Sequence, residues 1–369
     1  MTSIHTNSAA MAASSRLNWI AAGLERTQAN VSSGLRVGSA ADNAAYWSIS
    51  TTMKSDNKAL SAVSDAIGFT SAVLDTAFAG LRSVVEEFSA VRNLMIQASQ
   101  TPDPEATGLR DEPDPNYDKS QQAKIADEVK QHLAQIRTTV ESASFGGVNL
   151  LYVGDNSAVK ASETVNSFVM GYAQGKVITK DLALTDTLLI NDSYSDGDPG
   201  DNNDPDAGLF DRGIWVPLQE DTNNGAFSAF PLFNISGAWS GTAPETTQPL
   251  EDYDLIRDLE TFIEAYMLPN GYLNRQQTWN GVIAQTDVVL QKLISRTADM
   301  GAMVKSVAAQ DELVKDRIAI VDKGVGRLID ADMNAESARL KALQTQQQLG
   351  TQALSIANGA ADNILRLYQ

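Results

Sequence analysis

Residues 49–98 read ISTTMKSDNKALSAVSDAIGFTSAVLDTAFAGLRSVVEEFSAVRNLMIQA. Within this stretch Ile49, Met53, Leu60, Val63, Ile67, Leu74, Ala77, Leu81, Val84, Phe88, Val91, Met95 and Ala98 fall on one alternating four-three seam, interrupted only by Asp56 and Thr70. A seven-residue apolar repeat held over about seven heptads predicts a helix that buries its seam against partner helices, as coiled coils do. At ~1.5 Å per residue it would run on the order of 75 Å, the length of a rod.

Two further seams lie outward from it. Val304, Val307, Val314, Ile318, Val321, Val325 and Leu328 share the spacing near the C-terminus, broken once by Asp311, and a shorter segment carries Ile125, Val129, His132, Ile136 and Ala143. Proline, which breaks helix interiors, occurs eleven times, always between Pro102 and Pro269. Two proline-free arms therefore flank a different middle. Three seams are satisfied together only if the two ends of the chain meet. The expected fold is mainly α: a long coiled-coil helical bundle from the N- and C-terminal segments, with a central inserted α+β, mostly β, outer domain.

Residues 102–118 hold four prolines and six acidic residues and read as an extended connector. The third helix is expected to stop at Phe145-Gly146-Gly147, a glycine pair able to supply a left-handed C-cap, before a strand beginning in Val148–Val153. From about 165 to 272 the composition shifts to Gly, Asp, Asn, Pro and Thr. Lys176–Leu184, Leu188–Ile190, Ile214–Leu218 and Phe227–Ile235 read as short strands there. One amphipathic helix is expected over Asp252–Met267, stopped by Pro269-Asn270-Gly271. The expected domains are 1–42 with 331–369, 43–164 with 273–330, and 165–272.

The extreme ends differ from the rod. Residues 1–35 carry only Arg16, Glu25 and Arg26 as charges, with a thin seam of Leu17, Ile20, Leu24, Val31 and Leu35. The far end answers with Leu340, Leu343, Leu349, Leu354, Ile364 and Leu365 among Gln, Ala, Asn and Ser. Seams this narrow are too weakly apolar to hold helices alone in water, so the ends are expected to fold on assembly.

Composition narrows the chemistry. Forty-six acidic against 28 basic residues give a net charge of −18, which repels nucleic-acid phosphates and anionic lipid surfaces, so neither nucleic acid nor membrane is an expected partner. Cysteine is absent and only His5 and His132 supply imidazoles, so no cofactor, metal cluster or catalytic triad is expected, and the chain reads as no enzyme. The N-terminus lacks the pattern of a cleavable signal, and no apolar run approaches a membrane span. Asp196, Asp198, Asp201, Asp204 and Asp206 are close enough to suggest oxygen ligands for calcium. An EF-hand loop starting at Asp196 would, however, need Gly and Glu where Asp201 and Ala207 stand. Gly171–Lys176 is one residue short of a phosphate-binding loop.

The stretch Val31-Ser32-Ser33-Gly34-Leu35-Arg36-Val37-Gly38-Ser39-Ala40-Ala41-Asp42-Asn43-Ala44-Ala45 resembles the signature that joins terminal and core helices in bacterial flagellins. The C-terminus, Ala357-Asn358-Gly359 through Ile364-Leu365-Arg366-Leu367, is similar to the end of the same family. Gly38 stands where the family usually has Asn, and Tyr46-Trp47 where it commonly has Gly-Leu; the latter departure resembles the rhizobial, alphaproteobacterial branch. The resemblance covers roughly residues 1–150 and 280–369. It implies a structural subunit that self-polymerises into the extracellular flagellar filament for swimming, alone or mixed with related flagellins. Implied partners are an export chaperone, the type III export apparatus, and hook-associated and cap proteins. The terminal seams would make subunit contacts and residues Ile49–Ala98 and Val304–Leu328 the rod core. Alternatives are a hook-filament junction protein, or a calcium-dependent binding module or enzyme in the insert.

Overall fold

A computed structural model describes residues 7–101, 121–154, 161–173, 176–192, 206–210, 214–217, 227–230, 259 and 275–367. Five long helices dominate the described residues: α1 (Ser8–Ser33), α2 (Ala44–Gln100), α3 (Gln121–Ser142), α4 (Arg275–Ile329) and α5 (Met333–Leu367). The chain divides into two compact units, Met1–Ala62 with Leu313–Gln369, and Val63–Glu312. The connector at 102–118, the acidic stretch 192–224 apart from Asp192, Asp206–Phe210 and Ile214–Pro217, and the helix expected over Asp252–Met267 lie outside the described residues; Leu259 alone of that helix is described, helical and fully buried.

The heptad seam of α2 is buried over most of its length. Leu60, Ile67, Leu74, Leu81, Phe88 and Met95 recur every seven residues at 3% exposure or less, and Val63, Thr70, Ala77, Val84, Val91 and Ala98 at 7% or less. Thr70 sits in the seam because its Oγ1 donates to Ala66 O one turn back, which satisfies the hydroxyl without a partner across the interface. In α4, Trp279, Thr286, Leu293, Met300, Val307 and Val314 keep the same interval and are all buried. Val325 is buried as well, while Met53, Val321 and Leu328 pack partly buried around the cluster of Val37, Val325 and Ile329. Val304 and Ile318 are half-buried. Ile49, at 51% exposure, stands outside the packed seam.

Within Val63–Glu312, α2 and α4 run antiparallel. Ser64 donates to Asp311, Phe78 faces Gly301, Arg92 pairs with Asp287, and Arg275 donates to Thr101 O. The α3 helix lies antiparallel to α2 as well, through Gln122 at Thr101 O and His132 Nδ1 at 2.6 Å from Glu87 Oε2. Its buried face is Gln122, Ala123, Ile125, Ala126, Val129, Leu133, Ile136 and Val140. The expected seam had His132 where the core takes Leu133: the imidazole lies one position off the apolar centre, at the edge where Glu87 meets it.

The glycine pair does something other than expected. Helix α3 ends at Ser142, and Gly146 (φ 58) and Gly147 (φ 84) turn a two-residue hairpin between β1 (Ser144–Phe145) and β2 (Val148–Asn149). Two successive positive φ angles are what such a hairpin turn requires, whereas a helix cap needs one. Val148–Val153 is likewise two strands, β2 and β3 (Tyr152–Val153), separated by the buried Leu150 and Leu151.

The described insert contains three further two-stranded sheets. The hairpin β4 (Val165–Ala173) with β5 (Lys176–Ala183) is antiparallel, with a bulge between Val169 and Gly171. Here Gly171 and Lys176 lie on opposite strands of a hairpin. β3 pairs in parallel with β6 (Ile190–Asn191), and β7 (Ile214–Pro217) pairs antiparallel with β8 (Phe227–Phe230). Leu188 and Leu189, expected within a strand, are fully buried outside one: Leu189 N donates to Leu151 O, and the carbonyls of Leu188 and Leu189 accept from Leu209 N and Phe210 N.

Candidate functional site

The terminal helices form the first candidate surface. Asn7 caps α1 by accepting from Ala10 N, and its Nδ2 reaches Ala357 O at 2.9 Å. A Cβ on Gly350 would stand 2.8 Å from Leu17, so that glycine lets α1 and α5 approach closely, and Gly23 opposite Leu343 shows that the two run antiparallel. Of the expected terminal seam, Ile20 and Leu343 are buried, while Leu17, Leu24, Val31, Leu35, Leu340 and Leu354 are half-buried. Leu349 is 59% exposed. Ile364 and Leu365 lie on α5, their side chains outside the described ones.

This pairing leaves much apolar surface in water. Met11, Trp19 and Ile356 are exposed by 65%, 66% and 74%. Sequence reading missed all three by following one seam per helix. A tryptophan in a helix with almost no charges was the available signal. Burying each such side chain on another surface yields roughly 1.5–3 kcal/mol.

A joint connects these helices to the rest of their unit. Gly34 (φ 71) caps α1 in the left-handed region, its N donating to Asn30 O. Leu35 then bridges Asp330, Arg36 N and Val37 N donate to Ile329 O, Ala331 N donates to Gly34 O, and the Arg36 guanidinium reaches Leu328 O at 2.9 Å. Asp42 Oδ2 gathers Gly38 N, Ser39 N and Ser39 Oγ, and those Ser39 bonds foremost hold its carboxyl below the usual range. Asn43 starts α2 by accepting from Tyr46 N. The quoted motif is thus a joint in which the α1–α2 and α4–α5 breaks brace each other.

Among the described residues no group of three or more His, Asp or Glu is placed to hold a metal ion, and no helix is long and apolar enough to cross a membrane. Asp196, Asp198, Asp201 and Asp204 lie outside those residues. A polar cluster of Arg137, Glu141, Tyr152 and Asp192 ties α3 to the end of β6.

Comparison with known proteins places these features. The model of the bacterial flagellin N-terminal helical region matches residues 4–153, and that of the C-terminal helical region matches residues 283–368. Flagellin C of Rhizobium meliloti (strain 1021) is 37% identical over 371 residues, and Flagellin A of the same strain 33% over 415, each pairing covering both chains in full. A flagellin of Brucella melitensis biotype 1 is 29% identical over 371 residues, also across both whole chains.

Proposed function

Because the chain belongs to the bacterial flagellins, non-enzymatic structural subunits that self-polymerise into the extracellular flagellar filament of motility, we propose that its paired terminal helices carry the longitudinal contacts of that polymer. The observation that carries this reading is the exposure of Met11, Trp19, Leu349 and Ile356 on a helix pair whose described side chains bury only Ile20, Thr27 and Leu343. A contact between different patches of identical subunits does not close on itself, so it propagates as an open helix. Residues 1–42 with 331–369 then form the inner layer, 43–164 with 273–330 the wall, and 165–272 the face turned to the medium. Leu17, Ile20, Leu24, Val31, Leu35, Leu340, Leu343, Leu349, Leu354, Ile364 and Leu365 are the seam along which subunits order one another.

Weakly apolar ends also suit passage as an unfolded chain. An export chaperone that shields them, the type III apparatus, and cap and hook-associated proteins at the growing tip complete the proposed set of partners. Two distinct flagellins in one strain of Rhizobium meliloti are consistent with mixed filaments.

The test is reassembly. Purified chain is dissociated by acid, returned to neutral pH with filament seeds, and followed by electron microscopy beside a chain lacking 1–33 and 333–369. The intact chain grows filaments and the shortened one stays monomeric. Trp19→Ser or Ile356→Ser raises the critical concentration about tenfold or more, the equivalent of one buried apolar side chain. Equal growth without the terminal helices would overturn the assignment.

A further inference from the structure

The unit Val63–Glu312 has its own groove, where α2 meets α4. Phe78, Val85, Ile294, Ala298 and Gly301 make its apolar walls, with Thr297 beside them and Arg82 and Glu86 at the rim, around a volume of about 430 Å³. Gly301 opens it: a Cβ there would stand 3.1 Å from the Phe78 ring. Arg82 is exposed and has no hydrogen-bond or ion-pair partner among the described residues, Glu86 included. A guanidinium beside an apolar slot favours an aromatic ring, over whose face it can sit.

The same unit carries such a ring pair on its other side. Phe69 and Phe145 lie 5.7 Å apart between ring centroids, exposed by 47% and 42%. The hairpin turn holds them firmly, since Gly146 passes so close that a Cβ there would meet Phe69 at 2.8 Å. One turn before Phe69 on the same face stands Asp65, exposed and likewise unpaired among the described residues. Nine residues separate Phe69 from Phe78 on α2, two and a half turns at ~3.6 residues each, so knob and groove point to opposite sides of the helix.

We propose that the Phe69–Phe145 knob of one subunit enters the Phe78–Gly301 groove of a second copy, with Asp65 paired to the neighbour's Arg82. The occupant is a second copy because the chain polymerises with itself, and because an open assembly needs complementary patches on opposite faces of one subunit. An aromatic anchor in an apolar slot, flanked at the rim by an arginine and a carboxylate of opposite sign, is also a composition that gives an interface affinity and register. The proposal rests on the filament reading but not on the terminal helices, which act through other surfaces.

Because the chain has no cysteine, cross-linking can test it directly. Filaments of the full chain carrying both Asp65→Cys and Arg82→Cys are oxidised and run without reductant. A heterologous contact gives a ladder of multimers from the doubly substituted chain, and dimers only from filaments mixed from the two single variants. Separately, Asp65→Arg or Arg82→Asp alone raises the critical concentration about fivefold, as for one partly exposed charge pair, and combining the two restores it. Filaments that form without cross-links, and reversals that are not rescued by each other, overturn this interface alone. An intact chain that forms no filament overturns the filament reading and this interface with it.

Discussion

Asp192 holds two partners on one oxygen: Tyr152 Oη donates to Oδ2 at 2.6 Å and Arg137 at 2.7 Å. Burial first, and the Asp192 carboxylate next, push the Tyr152 phenol up from 10.0 to about 12. Arg137 loses some of its affinity for a proton to burial, but the charges of Asp192 and Glu141 more than offset that. The folded chain holds the Tyr152 proton more tightly than the unfolded chain does. Its stabilising contribution is therefore complete below pH 10 and is lost as pH rises toward 12. The melting temperature of the wild-type chain should fall more steeply across that window than that of Tyr152→Phe, which has no proton to lose. Parallel curves would show that the hydroxyl does not matter to the fold.

At the scale of elements, Arg296 ties the segment that follows β5 to α4. The Arg296 guanidinium donates to Leu188 O at 2.5 Å and to Thr185 O at 3.4 Å, where Leu184, Leu188, Val153 and Ala161 form a buried cluster. Arg296→Ala leaves those carbonyls without this donor and should cost roughly 1–3 kcal/mol. Hydrogen exchange at the Leu189 and Ile190 amides, both bonded to Leu151 O, should accelerate while the middle of α2 stays protected. Equal acceleration in both places would mean that the segment has no stability of its own. Such contacts join residues far apart in the chain, which explains what the sequence did and did not disclose. The α2 seam was legible because every residue from Leu60 to Ala98 that it needs lies on one helix with one period. The matching run in α4 continues back through Met300, Leu293, Thr286 and Trp279, but the buried threonine hid that repeat. Gly146-Gly147 announced positive φ, and only the partner strand distinguishes a hairpin turn from a helix cap. The hairpin strand β4 escaped notice because Asn166, Ser167 and Gly171 break its alternation.

For the molecule as a whole, stability is unevenly shared. Over its 26 residues α1 fully buries only Ile20 and Thr27, and α5 buries Leu343, whereas α2 buries two heptad rows from Leu60 to Ala98. Isolated helices of that kind are marginal in water. Amides in Ser8–Ser33 and Met333–Leu367 of the monomer should exchange well ahead of those at Ile67, Leu81 and Val84, and proteases should trim the ends first. Assembly should remove the difference; equal protection in the monomer would contradict it. The joint at Leu35 and Asp330 belongs to the same account. Arg36 and Val37 have their acceptors on Leu328 and Ile329, so the start of the chain cannot be locked until almost all of it is present. Closing so long a loop is slow, and the reward comes only at closure. A chain cut short before residue 328 still packs α2 on α3 and most of α4, but Arg36 and Val37 lose their acceptors and α1 loses α5. The joint therefore acts as a length check written into the fold, since only a chain that reaches its own far end can close it.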